Sequence, residues 1–396
     1  MSSDYDEKLS AIRHFQLHPE MLPYAGPQYN DCRILLIGES HYIGSQYAGD
    51  VKFCEELHSH WYEWSTDRFK WTDPVSDPGW FNTRGIQYEF LVHNRNRAHS
   101  MFHNPAMIFC GILKEETGMT ITDCDAVSCT AFCNYFQRPE IVTGATFEPT
   151  EEDLEKSAEI ITQIIGALQP KIVVFLSKKA YRAYSGKADI SDIPYIHCVN
   201  HPTSASWNNA GGREKYYEIM KRYYLDNDSS ILPALLKVNE QKLSIVKAVF
   251  DGLYVCLRRR GSAFDGYSTV ISEYYKERGA LPFIDYVMPY KDRKLSLHIE
   301  ATDNLYFGIC GWDEDRGCIK PRPDSTDCSY AAEIKGSLDT YGRSASYCWW
   351  NYLPSNDHKL CFNDRGAEFD SLTDPERMDR LTGTCIEMIE KSVKTR

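Results

Sequence analysis

Two short polar segments carry side-chain types that acid–base or electrostatic catalysis uses, and each of them follows an apolar run. They are Gly38-Glu39-Ser40-His41-Tyr42 and Asn200-His201-Pro202-Thr203-Ser204. A carboxylate and an imidazole can stabilise opposite charges as these develop, or can hold and move a proton. Ligands of open α/β sheets bind at the carboxyl ends of the strands. The two segments therefore predict one shared site, provided that the preceding runs are neighbouring parallel strands.

The elements that would position these segments alternate between strands and helices. The predicted strands are the apolar runs Arg33–Gly38, Asp125–Thr130, Lys171–Leu176 and Tyr195–Val199. The clearest helix begins at Thr150-Glu151-Glu152-Asp153, which resembles a capping box, and Pro170 ends it. Such alternation is typical of βαβ units. It predicts an α/β fold with three layers, α/β/α, around a central parallel sheet.

The chain is long enough for two domains. We expect residues 1–228 to form the α/β domain, with a long, Trp-rich and partly helical insertion at about residues 43–110. A helix over Glu214–Leu225 would close this domain, and the polar run 226–230 predicts its boundary. Residues 229–396 would then form an α+β accessory domain. Its clearest signals are two alternating runs, 294–299 and 304–309, which predict an antiparallel pair, and a last helix that opens at Asp374.

Composition narrows the class of protein. The 396 residues carry a net charge of −12, which argues against a basic coat for duplex DNA, so any contact with nucleic acid needs a local basic patch. We find no apolar run of membrane-spanning length and no secretory signal at the N-terminus, and we expect a cytoplasmic protein with no membrane contact. The 14 cysteines form no C-x-x-C pair, so buried, reduced thiols are favoured over disulfides. We expect no metal, cofactor or obligate protein partner.

The order of several short motifs resembles the uracil-DNA glycosylase superfamily over about residues 30–225. The motifs are Gly38-Glu39-Ser40, Asn134-Tyr135-Phe136-Gln137-Arg138-Pro139, Pro149-Thr150-Glu151-Glu152-Asp153, Pro170–Ala180 and His201-Pro202-Thr203-Ser204. None of them is specific alone, but their ordered combination is. The resemblance implies a protein that flips a nucleotide out of DNA, reads its base in a pocket and hydrolyses the N-glycosidic bond.

The resemblance also implies roles for particular residues. His201 matches the histidine that donates a hydrogen bond to the leaving base, and Pro202, Thr203 and Ser204 match the loop that grips phosphate and enters the duplex. Asn134 matches the asparagine at the end of the second strand that reads the base edge, because an amide can donate and accept. Tyr42 matches the tyrosine that walls off the 5-position of a pyrimidine.

The first loop departs from the best-known pattern of the superfamily. Ser40 stands where the water-activating aspartate would be, and His41 stands where the proline would be. A serine cannot support a sugar cation as a carboxylate can. Glu39, which matches the glutamate of the Gly-Glu-x-Pro-Gly branch, is the favoured replacement. Asp50 from the insertion is the other carboxylate that could act there.

Further candidates would contact the DNA itself. An aromatic side chain should stack on the flipped base, and Tyr42 and Phe53 are the candidates. The three adjacent arginines Arg258, Arg259 and Arg260 follow the β-like run Leu253–Leu257 and are candidates for phosphate contacts.

The sequence thus favours a DNA glycosylase that leaves an abasic site. The missing aspartate, the insertion and the second domain favour a modified or damaged pyrimidine as the target, and a modified base of phage DNA would imply antiviral defence. Three alternatives stay open. They are a catalytically silent module that recognises modified bases, an ordinary uracil-excision repair enzyme, and a glycosidase that acts on free nucleotides.

Overall fold

A computed structural model describes the backbone of residues 4–74, 77–92, 100–119, 121–141, 147–191 and 195–259. It further describes six strands beyond residue 259 and the single residues Glu376 and Arg380. The chain divides into two compact units, one of residues 1–112 and 123–235, the other of residues 113–122 and 236–396. Among the described residues, no helix is long and apolar enough to cross a membrane.

The first unit contains a five-stranded sheet in the order β1-β3-β2-β4-β5. Its strands are β1 Tyr24–Ala25, β2 Ile34–Tyr42, β3 Thr130–Glu140, β4 Ile172–Phe175 and β5 Ile196–Cys198. The central strand β2 runs parallel to β3 and β4, β4 runs parallel to β5, and the short β1 is antiparallel to β3. The prediction of a mixed α/β fold with a mostly parallel sheet is confirmed.

Eleven helices are described along the chain. They are α1 Asp4–Ser10, α2 Arg13–Leu17, α3 Tyr29–Cys32, α4 Val51–His60, α5 Thr83–Val92, α6 Ser100–Thr117, α7 Asp123–Ser128, α8 Glu151–Leu168, α9 Lys178–Ser185, α10 Ala205–Asn209 and α11 Gly212–Arg259. Short 3₁₀ turns cover Pro19–Met21, Ser45–Tyr47, Thr66–Arg68 and Asp77–Phe81. The predicted insertion, residues 43–110, contains α4, α5 and most of α6.

Helix α8 begins as the sequence predicts. The Thr150 hydroxyl accepts a hydrogen bond from the Asp153 amide, and the Asp153 carboxylate accepts one from the Thr150 amide, so the capping box is complete. The apolar stripe of α8 packs into the same core as Leu35 and Ile37 of β2. On the other face of β2, Ile34 and Leu36 line a pocket with residues of α6 and α11.

One predicted strand is wrong. Residues 123–128 form helix α7, and the strand begins only at Thr130. Two acidic residues in the first turn, Asp123 and Asp125, favour a helix start, and the Ser128 hydroxyl donates to the Asp125 carbonyl inside that helix. Every residue of α7 is buried, so the apolar pattern could not distinguish a short helix from a strand.

The predicted boundary segment is also helical. Helix α11 continues through residues 226–230 to Arg259, with one non-helical residue, Asn227 (φ −135°, ψ 18°), whose side chain donates to the Tyr223 carbonyl. The polar run therefore kinks the helix without ending it. The run Leu253–Leu257, predicted as β-like, lies within this helix. Short polar side chains that hydrogen-bond to the preceding turn compete with the helical backbone and often bend a helix, which fits the kink at Asn227.

The second unit contains a six-stranded antiparallel sheet. The strands are β6 Ser268–Ile271, β7 Phe283–Tyr290, β8 Arg293–Ala301, β9 Leu305–Asp313, β10 Gly317–Ile319 and β11 Trp349–Tyr352. The predicted pair 294–299 and 304–309 is confirmed, because Ile299 of β8 lies opposite Phe307 of β9. Apart from Glu376 and Arg380, the predicted last helix lies outside the described residues, as does Arg260.

Candidate functional site

The segment Glu39–Tyr42 belongs to β2 itself rather than to a loop after it. β4 ends opposite Ile37, so β2 and β3 extend beyond their neighbour as a two-stranded ribbon. The register of β2 against β3 shifts between Ser40 and Tyr42. A bulge of this kind re-aims side chains, and bulges are frequent beside active sites. Glu39, Ser40 and His41 thus lie at the carboxyl edge of the sheet although they are strand residues.

Glu39 contacts the end of the next strand. The Ser177 hydroxyl, which lies two residues after β4, donates a hydrogen bond to Glu39 Oε2 at 2.5 Å. Ser177 is also the N-cap of α9, where its oxygen accepts from the Ala180 amide at 3.3 Å. Ser177 is 2% exposed. The Glu39 carboxylate is therefore fixed at the first turn of α9.

His201 follows β5, and its ring is held by its own loop. The Thr203 amide donates to His201 Nδ1 at 3.4 Å, and the Thr203 hydroxyl lies 2.8 Å from the same nitrogen. Because Nδ1 accepts, the neutral ring carries its proton on Nε2. Burial lowers the pKa of His201 below its usual value, and the nearby negative charge of Glu39 raises it in part. β2 and β5 thus place Glu39 and His201 at the same carboxyl edge of the sheet, and that the two act in one site stays a prediction.

The rest of the His201 loop is also ordered by hydrogen bonds. The Ser204 amide and hydroxyl both donate to the His201 carbonyl, the hydroxyl at 2.7 Å. The Pro202 carbonyl accepts from the Asn104 side chain of α6 at 2.8 Å. Pro202 is buried and Thr203 is exposed. Thr203 is therefore the member of this segment that solvent, or a ligand, reaches most easily.

Asn134 lies opposite Gly38 in the ribbon of β2 and β3, and it is the fifth residue of β3 rather than the last. It still lies one level beyond the end of β4, because β2 and β3 are the longer strands. A Cβ on Gly38 would come within 2.1 Å of Asn134 Oδ1, so the close approach of the amide requires glycine there. The predicted position at the end of the second strand is wrong, but the asparagine does reach the carboxyl edge.

The amide of Asn134 is only partly used by the protein. Its Nδ2 donates to His41 Nδ1 at 3.3 Å, and burial lowers the pKa of His41 to about 3, so this ring is neutral at physiological pH. Asn134 Oδ1 and Ser40 Oγ are both buried and have no hydrogen-bond partner among the residues that the structure describes. Buried polar atoms are rarely left without partners. These two atoms are therefore suited to meet a polar ligand.

Two other candidates have structural roles instead. Phe53 is 3% exposed and stacks on Tyr47 at 4.3 Å within an aromatic cluster, so the prediction that it stacks on a base is wrong. Asp50 is the N-cap of α4 and accepts from the Phe53 amide at 3.0 Å. Asp50 thus caps a helix, and Glu39 is the carboxylate that lies near His201. Tyr42 is half-buried, at the end of β2.

Ser177 was not among the residues predicted for the site. It could have been found from the rule that polar residues at the carboxyl ends of parallel strands face the ligand, since it directly follows Ile172–Leu176. Asn104 gives no such signal, because it lies in the middle of α6. The side chains of Arg258 and Arg259 lie outside the described residues, although the backbone of both is helical.

Cys124, Cys129 and Cys133 are buried and free, as the sequence predicts for its cysteines. Within the part of the chain whose side chains are described, no group of three or more histidine, cysteine, aspartate or glutamate residues is arranged to hold a metal ion. Comparison of the chain with family models, with curated proteins and with solved structures found no match.

Proposed function

We propose that this protein is a DNA glycosylase of the uracil-DNA glycosylase type, which removes a modified or damaged pyrimidine and leaves an abasic site. In this proposal, residues 1–228 form a three-layer α/β/α catalytic domain and residues 229–396 form an α+β accessory domain that binds DNA. The observation that carries the proposal is that the parallel strands β2 and β5 place Glu39 and His201 at the same carboxyl edge of the sheet, where the charge of Glu39 acts on His201.

The two side chains match the two charges that develop when a glycosidic bond breaks. As the bond between C1′ and the base nitrogen lengthens, the sugar becomes cationic and the base takes the electron pair. An ionised Glu39 would stabilise the cation and orient a water for addition at C1′, and it would accept a proton from that water. His201 would donate the hydrogen bond of its Nε2–H to the departing base. A donor placed where negative charge develops lowers a barrier by about 3–4 kcal/mol.

The buried oxygens of Asn134 and Ser40 supply the means to read a base. An amide oxygen accepts from the N–H of a pyrimidine, and a hydroxyl can donate or accept. Leaving either atom without a partner is costly, whereas a base with the complementary edge would satisfy both. Tyr42 would border the 5-position, as in the family that the sequence resembles. A site with this hydroxyl in place of the usual carboxylate favours a target other than plain uracil.

The test is a panel of labelled oligonucleotides that carry uracil, thymine mismatches, deaminated purines, hydroxymethylcytosine or glucosylated hydroxymethylcytosine. The full-length protein is incubated with each, and abasic sites are cleaved with alkali. Strand scission that disappears in Glu39→Gln and falls by roughly 10²–10³ in His201→Ala would support the proposal. His197→Ala is the matched control, because His197 lies on β5 itself and its pKa is lowered by burial and by Lys215 and Arg222.

Other outcomes distinguish the alternatives. Selective binding to a modified base without scission would make the protein a recognition module. Robust excision of uracil, with none from the modified cytosines, would make it an ordinary repair enzyme. Equal activity on a mononucleotide and on an oligonucleotide would make it a nucleotide glycosidase. In the proposed function, DNA would contact Pro202, Thr203 and Ser204 and the arginines Arg258, Arg259 and Arg260.

A further inference from the structure

The Glu39 carboxylate is held by a hydrogen bond from a neutral side chain, the hydroxyl of Ser177. Among the residues whose side chains are described, Ser177 is the only hydrogen-bond donor to this carboxylate, and no lysine or arginine forms an ion pair with it. The two lysines of α9 do not contact Glu39, since Lys179 bonds to the Phe147 carbonyl and Lys178 is exposed. The position of the Glu39 carboxylate therefore depends on a neutral hydroxyl.

The direction of that hydroxyl is set by the helix. One lone pair of Ser177 Oγ accepts from the Ala180 amide, as an N-cap does, which leaves the O–H to donate to Glu39 Oε2. The contact is 2.5 Å long, as is usual for a hydroxyl that donates to an ionised carboxylate. The same serine thus begins α9 and fixes the carboxylate, and the first amides of that helix add favourable charge.

We propose that Ser177 is the positioning residue of the site: through its hydroxyl it holds the Glu39 carboxylate at the carboxyl edge of the sheet that Glu39 shares with His201, in the place where the sugar cation would form. This inference rests on the proposed function for its catalytic meaning, but the arrangement of Ser177, Glu39 and His201 can be tested without it. Ser177 itself does not touch the substrate. It acts on the reaction only through Glu39.

Three variants separate the helix cap from the hydrogen bond to Glu39. Ser177→Thr keeps both. Ser177→Gly removes the hydroxyl but begins a helix almost as well as serine, and Ser177→Ala removes the hydroxyl and is a poor cap. If Ser177 only stabilised the fold, the loss of activity in each variant would parallel its loss of stability. The positioning role instead makes Ser177→Gly and Ser177→Ala alike in activity but different in stability.

The first measurement is single-turnover kinetics on the best substrate of the panel, together with thermal unfolding. We expect the rate constant of Ser177→Gly and Ser177→Ala to fall by roughly 10–100-fold with little change in DNA affinity, since these variants lack a hydrogen bond to a charged group. Ser177→Thr should keep the rate constant of the wild type. Both variants lose the stability that this hydrogen bond contributes, and Ser177→Ala should unfold at a lower temperature than Ser177→Gly because it also loses the cap. A Ser177→Gly enzyme with the rate of the wild type would overturn the proposal, even if Ser177→Thr failed to fold.

The second measurement needs no activity. The full chain is labelled with ¹³C-histidine, and the ring of His201 is assigned by its absence in His201→Ala and titrated by NMR. Because the Glu39 charge raises the pKa of His201, we expect Glu39→Gln to lower this pKa and Ser177→Gly to lower it by a smaller amount. An unchanged titration in Ser177→Gly, with a lowered one in Glu39→Gln, would contradict the proposal. If the protein cleaves no DNA substrate but the pKa of His201 changes as expected in both variants, the proposed function is wrong and the positioning role of Ser177 is retained.

Discussion

The guanidinium of Arg138 and the carboxylate of Asp153 form a bidentate ion pair inside the protein, with distances of 3.0 Å from Nε to Oδ1 and 2.7 Å from Nη2 to Oδ2. Their side chains are 2% and 1% exposed. The pair joins the end of β3 to the first turn of α8, and Asp153 also completes the capping box with Thr150. Burial raises the pKa of Asp153, but Arg138 together with the hydrogen bonds from Thr150 and Tyr62 holds that pKa below its usual value.

Breaking this pair should destabilise the protein strongly. Arg138→Met leaves the Asp153 charge buried without its partner, and we expect the free energy of unfolding to fall by about 3–5 kcal/mol. Urea unfolding of the full chain measures this change in the free energy of unfolding. The control is Lys156→Ala, which breaks an exposed pair with Glu159 on α8 and should cost less than about 0.5 kcal/mol. If both variants lose the same free energy of unfolding, the buried pair stabilises the protein no more than the exposed pair does.

Three buried histidines should make the fold sensitive to acid. Burial lowers the pKa of His18 to about 4 and that of His41 to about 3, and burial and the neighbouring His18 and His41 lower the pKa of His14. The unfolded chain would take up these protons at about pH 6.5, before the folded chain does. Stability is therefore complete above about pH 6.5 and falls as the pH drops from there toward 4.

The measurement is the urea midpoint of unfolding at several values between about pH 7.5 and about pH 4.5, a window that spans the ordinary pKa of histidine. We expect a fall across this range for the wild type and a smaller fall for His14→Phe. That variant keeps an aromatic ring but removes one titrating group, whose Nε2 is buried and has no hydrogen-bond partner within the described part of the chain. If the wild type and His14→Phe lose stability in parallel, His14 is not part of the effect.

Gly38 and Asn134 should behave as a coupled pair. A Cβ at position 38 would lie 2.1 Å from Asn134 Oδ1 and 3.0 Å from the Phe132 ring, so Gly38→Ala displaces the amide. We expect Gly38→Ala to lose about 1–3 kcal/mol of stability and to change which base is accepted. Asn134→Ala should change the base preference at a smaller cost in stability.

The double variant decides whether the two effects are one. With Asn134→Ala in place, the amide oxygen is gone, and Gly38→Ala should cost less than it does alone. Unfolding measurements on the four proteins of this cycle give the coupling free energy, which we expect to be about 1 kcal/mol. Additive losses would mean that the alanine at position 38 disturbs something other than Asn134.

Three adjacent arginines, of which Arg258 and Arg259 end α11, provide a test of the accessory domain. Replacing Arg258, Arg259 and Arg260 by glutamine should weaken DNA binding about equally for all sequences. It should also lower the slope of log Kd against log salt by about 1 for each phosphate that the variant no longer neutralises. Fluorescence anisotropy over salt concentrations from about 50 to about 200 mM measures this slope. Lys156→Gln on α8 is the control. An unchanged slope in the triple variant would remove these arginines from the DNA surface.

The sequence by itself determined the parts of this protein that local signals encode. The apolar runs of β2, β4 and β5 and the capping box of α8 are local signals, each contained in a single strand or helix. Their alternation along the chain is enough to predict the mostly parallel sheet. That inference also placed Glu39 and His201 at one edge, because all parallel strands end on the same side. The antiparallel pair β8 and β9 could be predicted for the same reason, since alternation over a short run fixes both the strand and its turn.

Only the tertiary structure decided the rest. α7 could pass for a strand because its residues are buried on every side, and Phe53 proved to be a core residue because Tyr47 and its neighbours cover it. Ser177 and Glu39 are 138 residues apart in the chain, and no local pattern relates them. Which side chain a carboxylate meets depends on the order and lengths of the strands. Those are set when the whole core packs, because burial is a property of the assembled fold and not of any segment.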